Sequence, residues 1–384
     1  MSTMNLQLAA PADPAQREAM IRAGLLDASG NPKPIQVDLG NNGGVFDASG
    51  QRLLAPIAPT DVHESAEIPT YLSGWKNGEY RADEAATIQP VDYRNDKYRK
   101  EALANTFLLR NTEVAYDGAV PEIDVSTSLD EYTVKDYAIG TFISMTTERN
   151  EGASAFRARM AGAKLCANAI ALARESRVWT DLVTSGNWTA ANVQTLAAGT
   201  KWNGGASADP VANIRTMMSA SLSKITAIWM NEAVAGYLLK DAGFREHMRQ
   251  MLGDGNPAPN VAQMLGQIDR NEGTYDFVVP GFPPFKVVTG KYTSTTSEAA
   301  TVSRVLAGHV VGVRTLPRAP VAGEDVATYT TFRWKGVSGT GWQSREFDLP
   351  SRGMQGGRMI VVCMSEVNKF TSTRVGGLIL NAEG

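Results

Sequence analysis

The chain has 384 residues, of which 43% are hydrophobic and 20% are charged, a composition typical of a folded protein with a sizeable core. Lys and Arg number 37 against 40 Asp and Glu, so the formal net charge is -3. A protein that holds nucleic acid by a strongly basic field is therefore excluded. With only three histidines, histidine-dependent catalysis is not favoured. The two cysteines, Cys166 and Cys363, are far apart in the sequence and indicate neither a zinc site nor a disulfide framework.

The first part of the chain is rich in turn-forming residues and has few periodic apolar residues. Turn signals recur at residues 27–30, 40–44 and 47–50. We therefore predict that residues 1–110 form an N-terminal arm rather than a domain. Neither a signal peptide nor a membrane span is predicted, because no long continuous apolar run occurs. Within the arm, the charged stretch at 93–103 predicts a short helix.

From Asp117 to Thr147, within the stretch 111–150, the sequence shows a period of two, which is typical of half-buried β-strands. The acidic pair Asp130 and Glu131 separates two such stretches and favours a turn between them. We therefore predict a long antiparallel hairpin, an extended loop of about 50 Å that reaches well beyond the core of one domain. Its alternating residues are Ile123, Val125, Thr127 and Leu129 in the first strand and Tyr137, Ile139, Thr141, Ile143 and Met145 in the second.

An alanine-rich stretch from Gly152 to Ser185 predicts one long helix. Apolar residues such as Met160, Ala163 and Ala167 recur there at steps of three and four. At about 1.5 Å per residue, this helix would be a rod of about 48 Å.

The second half of the chain mixes helix and strand signals. Asp209 followed by Pro210 predicts the start of a helix, and Asn231 predicts the cap of another after a strand at 225–230. The chain is therefore predicted to have an α+β fold in which strands dominate the second half. Further strands are predicted at 277–279, 285–289, 302–313, 328–334, 342–349 and 359–364.

No catalytic, cofactor-binding or metal site is predicted. Four residues form the best group for a divalent ion, but a single histidine in a proline-rich stretch is more typical of a solvated loop. These residues are Asp61, His63, Glu64 and Glu67.

Two glycine-rich stretches and one cysteine also receive structural interpretations. The stretch at 290–292 lacks the residues of a phosphate loop and is interpreted as a turn beside a strand. The stretch at 353–357 does not match a dinucleotide motif and is interpreted as a backbone kink. Cys166 falls in the alanine-rich helix and is predicted to be an inert core residue.

The order of these parts resembles the major capsid proteins of tailed bacteriophages, which have the Hong Kong 97-type fold. The likeness covers about residues 110–384, and it concerns architecture rather than an active-site signature. Four parts of the sequence carry this likeness. They are residues 133–140 with the helix that begins at Gly152, residues 228–232 with 238–241, residues 280–289 and residues 359–380.

The resemblance implies a division of the chain into the parts of a capsid subunit. Residues 111–150 would be the extended hairpin loop, and 151–206 a peripheral domain with a spine helix. Residues 207–341 would be the axial domain, and 342–384 the return strands of the peripheral domain.

The resemblance also implies that many copies assemble, as pentamers and hexamers, into an icosahedral shell around a double-stranded DNA genome. Such a protein is not an enzyme and needs no cofactor. It belongs to the virion and is assembled in the cytoplasm of the host bacterium. Expected partners are other copies of the chain, a portal protein, a decoration protein and a separate scaffolding protein, since no charged helical propeptide is recognised. Contact with packaged DNA would be weak and non-specific, and no membrane is involved.

A long hairpin and an extended arm cannot satisfy their backbone and apolar groups within one subunit. We therefore expect neighbouring subunits to complete them. In the arm, isolated apolar residues are expected to dock on adjacent subunits or on the subunit's own long helix: Ile35, Val37, Phe46, Leu53, Leu54 and Ile57.

Two other functions stay open at this point. An encapsulin-like bacterial compartment would share the fold but enclose cargo enzymes instead of DNA. An α+β enzyme with an unrecognised site, using Asp254, Asp269 or Glu272, would instead be a compact monomer.

Overall fold

The chain divides into two units, Met1–His63 and Glu64–Gly384, in the computed structural model. The structure describes residues 79–101, 127–151, 155–252, 276–293, 301–317, 326–336, 341–350 and 355–383, with shorter segments at 4–6, 35–37, 45–46, 52–54, 62–63, 68, 71–72, 112–113 and 352.

In the first unit, the described residues form short strands. β1 pairs antiparallel with β2, and β3 pairs antiparallel with β4. The predicted N-terminal arm therefore contains local strand pairs of two or three residues each. The strands are β1 Met4–Leu6, β2 Ile35–Val37, β3 Val45–Phe46, β4 Arg52–Leu54 and β5 Val62–His63.

The described helices of the second unit include the long alanine-rich helix, which is confirmed. The side chain of Asp209 accepts the Ala212 N–H (2.9 Å), and that of Asn231 accepts the Val234 N–H (2.7 Å), so both predicted caps are confirmed. None of the described helices is both long and apolar enough to cross a membrane. The helices are α1 Ala82–Ala85, α2 Met145–Glu151, α3 Ala155–Val183, α4 Pro210–Ala220, α5 Glu232–Lys240 and α6 Ala242–Leu252.

The strands of the second unit build two larger sheets and two ribbons. They are β6 Thr87–Val91, β7 Asn95–Glu101, β8 Thr127–Thr133, β9 Lys135–Ser144, β10 Val193–Thr195, β11 Ala227–Asn231, β12 Asp276–Phe277, β13 Phe285–Val288, β14 Lys291–Thr293, β15 Val302–Arg304, β16 Val310–Val313, β17 Tyr329–Trp334, β18 Trp342–Leu349, β19 Gly357–Phe370 and β20 Gly377–Leu380.

The first sheet has the strand order β10-β20-β16-β11-β13-β12. Its central strand β11 is buried along its whole length because both faces are covered. Ile228 and Met230 point into a core that includes residues of α4, α5 and α6. Trp229 points the other way, into a core with Val178 and Trp179 from the end of α3.

The second sheet is built on the long strand β19. β9 pairs along one side of it, and β18 and then β17 pair along the other, all antiparallel. β6 pairs parallel with β17. The first half of α3 packs on this sheet, with Cys166 and Ile170 against Ile360 and Val362. The long helix therefore spans both sheets, its first half on the second sheet and its end on the first.

The predicted hairpin, in which the strand of Ile123–Leu129 pairs with that of Tyr137–Met145, is wrong in the part that the structure describes. β8 pairs with β7, which comes before it in the chain, and β9 pairs with β19. The short helix predicted at 93–103 is also wrong, because Asn95–Glu101 form the strand β7, which pairs with β8. Only Val134 separates β8 from β9, so no turn forms at Asp130 and Glu131. The structure does contain an extended hairpin, but it is β7 and β8.

The two sheets do not follow the predicted domain boundaries at residues 206 and 341. β17 precedes residue 341 but belongs to the second sheet, whereas β20 follows it and belongs to the first sheet. The stretch predicted as one strand at 302–313 is two strands, β15 and β16, that belong to different sheets.

Candidate assembly surfaces

The base of the β7/β8 hairpin packs on the second sheet through aromatic rings. Tyr132 stacks on Phe332 with ring centroids 4.6 Å apart, and Tyr98 lies against the same ring at 4.9 Å. The Tyr98 hydroxyl also donates to Asp130 across the ladder (2.8 Å). Such ring pairs stabilise beyond the area they bury, so the hairpin leaves the sheet from a fixed base. We call this cluster the hairpin root: Val91, Arg94, Tyr98, Tyr132, Val134, Phe332 and Trp334.

Arg94 ties the hairpin root to the second sheet. Its carbonyl accepts the Val134 N–H (2.8 Å), while its guanidinium pairs with Asp136 and lies over the Trp334 ring at 5.1 Å. Burial on its own raises the pKa of Asp136, but the Arg94 guanidinium and the Ser365 hydroxyl (2.5 Å) outweigh it and lower that pKa. The Asp136 carboxylate therefore stays charged and links the root to β9 and β19.

The start of α1 contacts the first sheet through charged groups. Arg81 is buried and donates to both carboxylate oxygens of Asp276 (2.5 and 2.8 Å) and to Glu84 (2.7 Å). Lys286 on β13 donates to the same Glu84 carboxylate (2.7 Å). Both cations lie 5.1 Å from the centre of the Trp229 ring, which attracts positive charge.

A second group of charges connects α1 and α3 to the second sheet. Glu366 on β19 is only 1% exposed and accepts from Arg174 (2.8 Å), Arg177 (3.2 Å) and Arg333 (3.4 Å). Asp83 on α1 pairs with Arg174 and Arg333. A carboxylate this deeply buried is tolerated because several hydrogen-bonded cations compensate its desolvation.

Glu175 is fully buried and joins α3 to α1. Its carboxylate accepts the Ala82 N–H (2.6 Å) and the Trp179 indole N–H (2.6 Å). Burial raises the pKa of Glu175, although these hydrogen bonds favour the charged form. We call the whole network the joint, because it connects both sheets to α3: Arg81, Asp83, Glu84, Arg174, Glu175, Arg177, Trp229, Asp276, Lys286, Arg333 and Glu366.

No family model and no curated protein sequence matches the chain. Solved structures do match it. A phage-related protein from Bordetella bronchiseptica RB50 superposes with a TM-score of 0.56 at 14% identity, over 83% of this chain and 97% of that one. A candidate capsid protein of a prophage of Escherichia coli CFT073 superposes with a TM-score of 0.52 at 11% identity, over 83% and 99%.

The chain has the Hong Kong 97-type capsid fold. At these identities the likeness establishes the fold alone. The α+β class and the resemblance drawn from the sequence are confirmed at that level.

In this capsid fold, several large apolar side chains are exposed on the second unit. Tyr93 beside the hairpin root is 71% exposed and Leu129 on β8 is 63% exposed. Leu165 on α3 and Val278 after β12 are similarly open. Scattered single residues are normal on a protein surface, but Tyr93 and Leu129 both belong to the hairpin region, where they favour contact with another chain.

Three of the four residues weighed as a metal site lie in the part of the chain that the structure does not describe. Asp61, Glu64 and Glu67 lie outside the described residues, and His63 ends β5. Among the residues that the structure describes, no group of three or more His, Cys, Asp or Glu is arranged to hold a metal ion. The residues of the enzyme hypothesis, Asp254, Asp269 and Glu272, also lie outside the described residues.

The structure also bears on the two glycine-rich stretches and on the cysteine that the sequence analysis interpreted. The interpretation of 290–292 as a turn is wrong, because Lys291 and Tyr292 belong to strand β14 and pair with the returning strand β15. Gly356 has φ +69°, and a Cβ on Gly357 would lie 2.3 Å from the Ile143 carbonyl oxygen, so both positions favour glycine where the chain enters β19, whereas residues 353 and 354 lie outside the described residues. Cys166 is a buried core residue, and burial raises the pKa of its thiol, as expected of an inert cysteine.

An open cavity of about 940 Å³ lies beside the end of β11 and the β14/β15 ribbon. Glu232 accepts from Lys291 (3.1 Å) and Arg304 (3.4 Å), and Arg304 also pairs with Glu383 (3.2 Å). The two carboxylates and the two cations of this wall therefore neutralise one another, and the cavity offers no net charge to a charged substrate.

The joint was not predicted from the sequence, although one signal for it exists. Cys166, Ile170, Arg174 and Val178 follow one another at steps of four, so Arg174 lies on the buried stripe of α3. A charged residue on an apolar stripe requires a buried partner. The sequence alone does not identify that partner as Glu366, which is 192 positions away.

Proposed function

We propose that this chain is the major capsid protein of a tailed bacteriophage, and that many copies of it form an icosahedral shell around a double-stranded DNA genome. The observation that carries the proposal is the fold. The superposition extends over 97% and 99% of two solved chains, one described as phage-related and the other as a candidate prophage capsid protein. No enzymatic activity is part of the proposal.

The geometry of the hairpin supports a role in contacts between subunits. β7 and β8 pair only with each other among the described strands and form a ribbon apart from both larger sheets. An isolated two-stranded ribbon is marginal in water, so it needs further packing. The hairpin root supplies packing at the base, and a neighbouring subunit would supply it along the ribbon, where Leu129 is exposed.

We assign the second sheet and the first half of α3 to the peripheral part of the subunit, and the first sheet with α4, α5 and α6 to the axial part. The joint then lies where the two parts meet. This assignment keeps the two-part division expected from the resemblance but follows the sheets rather than the boundaries at 206 and 341.

The proposed partners are other copies of the chain in pentamers and hexamers, a portal protein, a separate scaffolding protein and a decoration protein. The proposed location is the virion, after assembly in the host bacterial cytoplasm. The formal charge of -3 supports only weak, non-specific contact with the packaged DNA.

The test is assembly of the purified chain, alone and together with the proposed scaffolding protein. Negative-stain microscopy and light scattering should show closed shells of uniform size. Replacing residues 95–133, the whole β7/β8 hairpin, with a short Gly-Ser linker should leave a soluble, folded subunit that forms no shells. A compact monomer of about 41 kDa under every assembly condition would contradict the proposal.

The contents of particles isolated from the native source distinguish a phage head from a bacterial compartment. Double-stranded DNA inside them is expected of a phage head. An enclosed enzyme without a genome would instead identify a bacterial compartment of the encapsulin kind.

A further inference from the structure

Strand β9 has a long open edge. Its ten residues pair with β19 in one continuous register from Glu366↔Lys135 to Gly357↔Ser144. Among the described strands β19 is its only partner, so the backbone N–H and C=O groups on the other edge have no strand to pair with. Five of the six residues from Lys135 to Gly140 are exposed.

Several other sheet edges of the second unit are short or interrupted, whereas the outer edges of β7 and β8 belong to the hairpin that is already proposed as a contact element. The first sheet ends in β10 with three residues and β12 with two, and β6 contains Pro90. Proteins shorten or interrupt edge strands in these ways to prevent unwanted pairing. β9 contains no proline, and its register with β19 has no bulge. Within the part of the chain that the structure describes, an edge of this length without a partner indicates that the edge is used.

Apolar side chains lie close to the open edge. Ile139 on β9 is 40% exposed although it points to the side of the sheet covered by α3. α3 approaches β9 so closely at Gly162 that a Cβ there would lie 2.8 Å from the Thr141 methyl group. Leu165, less than one turn further along α3, is 68% exposed. A strand added beside β9 would cover Ile139 and, with it, this part of α3.

We propose that β9 of one copy pairs antiparallel with β9 of a second copy across a two-fold axis, so that the two second sheets become one continuous sheet. This contact is one of those that a shell needs, so the inference rests on the proposed function and specifies one of its interfaces. An isologous contact requires a patch that is complementary to itself, and β9 meets that requirement.

The self-complementarity follows from the order of residues along β9. With the two strands centred on Gly140, Ile139 of each copy lies opposite Thr141 of the other, and Asp136 lies opposite Ser144. Like charges therefore do not face one another across the axis. Gly140 at the centre carries no side chain, and the space on that face is taken by Met359 of the same sheet, because a Cβ on Gly140 would lie 2.7 Å from the Met359 methyl carbon.

The charges near the axis are also compatible with this pairing. Asp136 already pairs with Arg94 and accepts from the Ser365 hydroxyl, so it brings no unpaired carboxylate to the interface. Lys135 lies at the far end of the strand and would meet the opposite end of the second copy. A partner strand with a strong charge at its centre would fit less well than a second β9.

The first experiment is a single-cysteine cross-link. Ile139→Cys is placed in a Cys363→Ser background, because Cys363 lies in register with the neighbouring Ala138, whereas Cys166 is buried. Assembled particles and concentrated unassembled subunits are treated with a short bismaleimide and run on a denaturing gel. We expect most chains to run as dimers without longer ladders, because a two-fold contact joins copies in pairs. Leu222→Cys, at a loop position that is 37% exposed, is the matched control and should stay monomeric.

The outcomes separate this inference from the proposed function. Shells that contain only monomers, or ladders longer than dimers, would overturn the β9 contact and leave the shell function intact. Dimers without shells would support the contact and contradict the function. A charge-swap pair gives a second readout: Ile139→Lys and Ile139→Glu should each lose the dimer, and a mixture of the two should recover it. Folded variants that dimerise equally well alone would exclude the contact.

Discussion

The hairpin root and the joint stabilise two parts of the same unit by different physical means. At the root, three aromatic rings and one partly exposed ion pair hold the base of a ribbon against the edge of the second sheet. At the joint, buried charges connect α1, α3 and both sheets. Ring contacts depend on area and tolerate small displacements, whereas a buried ionic network depends on every partner being in place.

This difference indicates where the subunit can adapt and where it cannot. The root leaves Tyr93 and Leu129 exposed, so the hairpin can adjust to a neighbouring chain while its base stays packed. The joint has almost no such freedom, because displacement of Glu366 would leave Arg174 buried without its main partner. The subunit therefore combines a fixed connection between its sheets with an adaptable contact element.

The largest effect is expected from breaking the joint. Glu366→Ala leaves up to three arginines without their shared carboxylate, and loss of one partner of a buried ionic group costs about 3 to 5 kcal/mol of unfolding free energy. Urea unfolding of unassembled subunits measures this change. Glu246→Ala removes an exposed pair with Arg249 on α6 and should leave the midpoint unchanged. Equal, small effects of the two variants would show that the buried network does not stabilise the unit.

A smaller and more local effect is expected at the hairpin root. Phe332→Ala removes the ring that both Tyr98 and Tyr132 contact, and it should cost about 3 kcal/mol, the lower end for buried Phe to Ala, because this cluster is small. Hydrogen exchange should accelerate in β7 and β8 before it does in β11. Tyr93→Ala, a truncation of an exposed ring in the same region, is the control and should change neither measurement. Uniform acceleration across both sheets would mean that the root is not a separate local unit.

The smallest expected effect is a pH dependence of the unfolding free energy, which has opposite signs at Glu175 in the joint and at Asp136 beside the hairpin root. Burial raises the pKa of Glu175, so the folded subunit binds this proton more tightly than the unfolded chain, and stability falls as pH rises from about 4.3 through the folded pKa. The lowered pKa of Asp136 acts in the opposite sense, because its contribution is present above about pH 3.9 and is lost as pH falls through the folded pKa.

The variants Glu175→Gln and Asp136→Asn each remove one of these slopes. Urea midpoints measured from about pH 2 to pH 8 should lose the decline above pH 4.3 in the first variant. The second variant should lose part of the acid-side decline. Slopes that change in the same direction in both variants would contradict the assignment of opposite pKa shifts.

The sequence was sufficient to predict the elements that depend on local signals. The long helix α3, the caps Asp209 and Asn231, and the strand β11 follow from apolar periodicity and capping chemistry within a few residues. The alternation along β9 also predicts a strand correctly, because one face of this strand packs on α3.

The partners of the strands could not be predicted in the same way. A period of two indicates which residues share a face, but it does not indicate which strand lies alongside, so β9 was paired with β8 instead of β19. The sequence of β7 predicts a helix instead of a strand, because a ribbon outside the main sheets has no apolar face along its length. Its residues therefore do not alternate between apolar and polar. The joint escaped prediction because charged residues are expected at the surface, and Arg174, Glu175 and Glu366 are buried.

Trp229 of the joint and the neighbouring Trp179 form a pair that has a consequence for optical spectroscopy. Trp179 and Trp229 are both fully buried, with ring centroids 5.4 Å apart and planes inclined by 56°. Indoles at this separation couple their electronic transitions, and the resulting near-ultraviolet circular dichroism depends on the angle between them. Trp179 belongs to α3 and Trp229 to the first sheet, so a change in the angle between that helix and that sheet alters the signal without any added label.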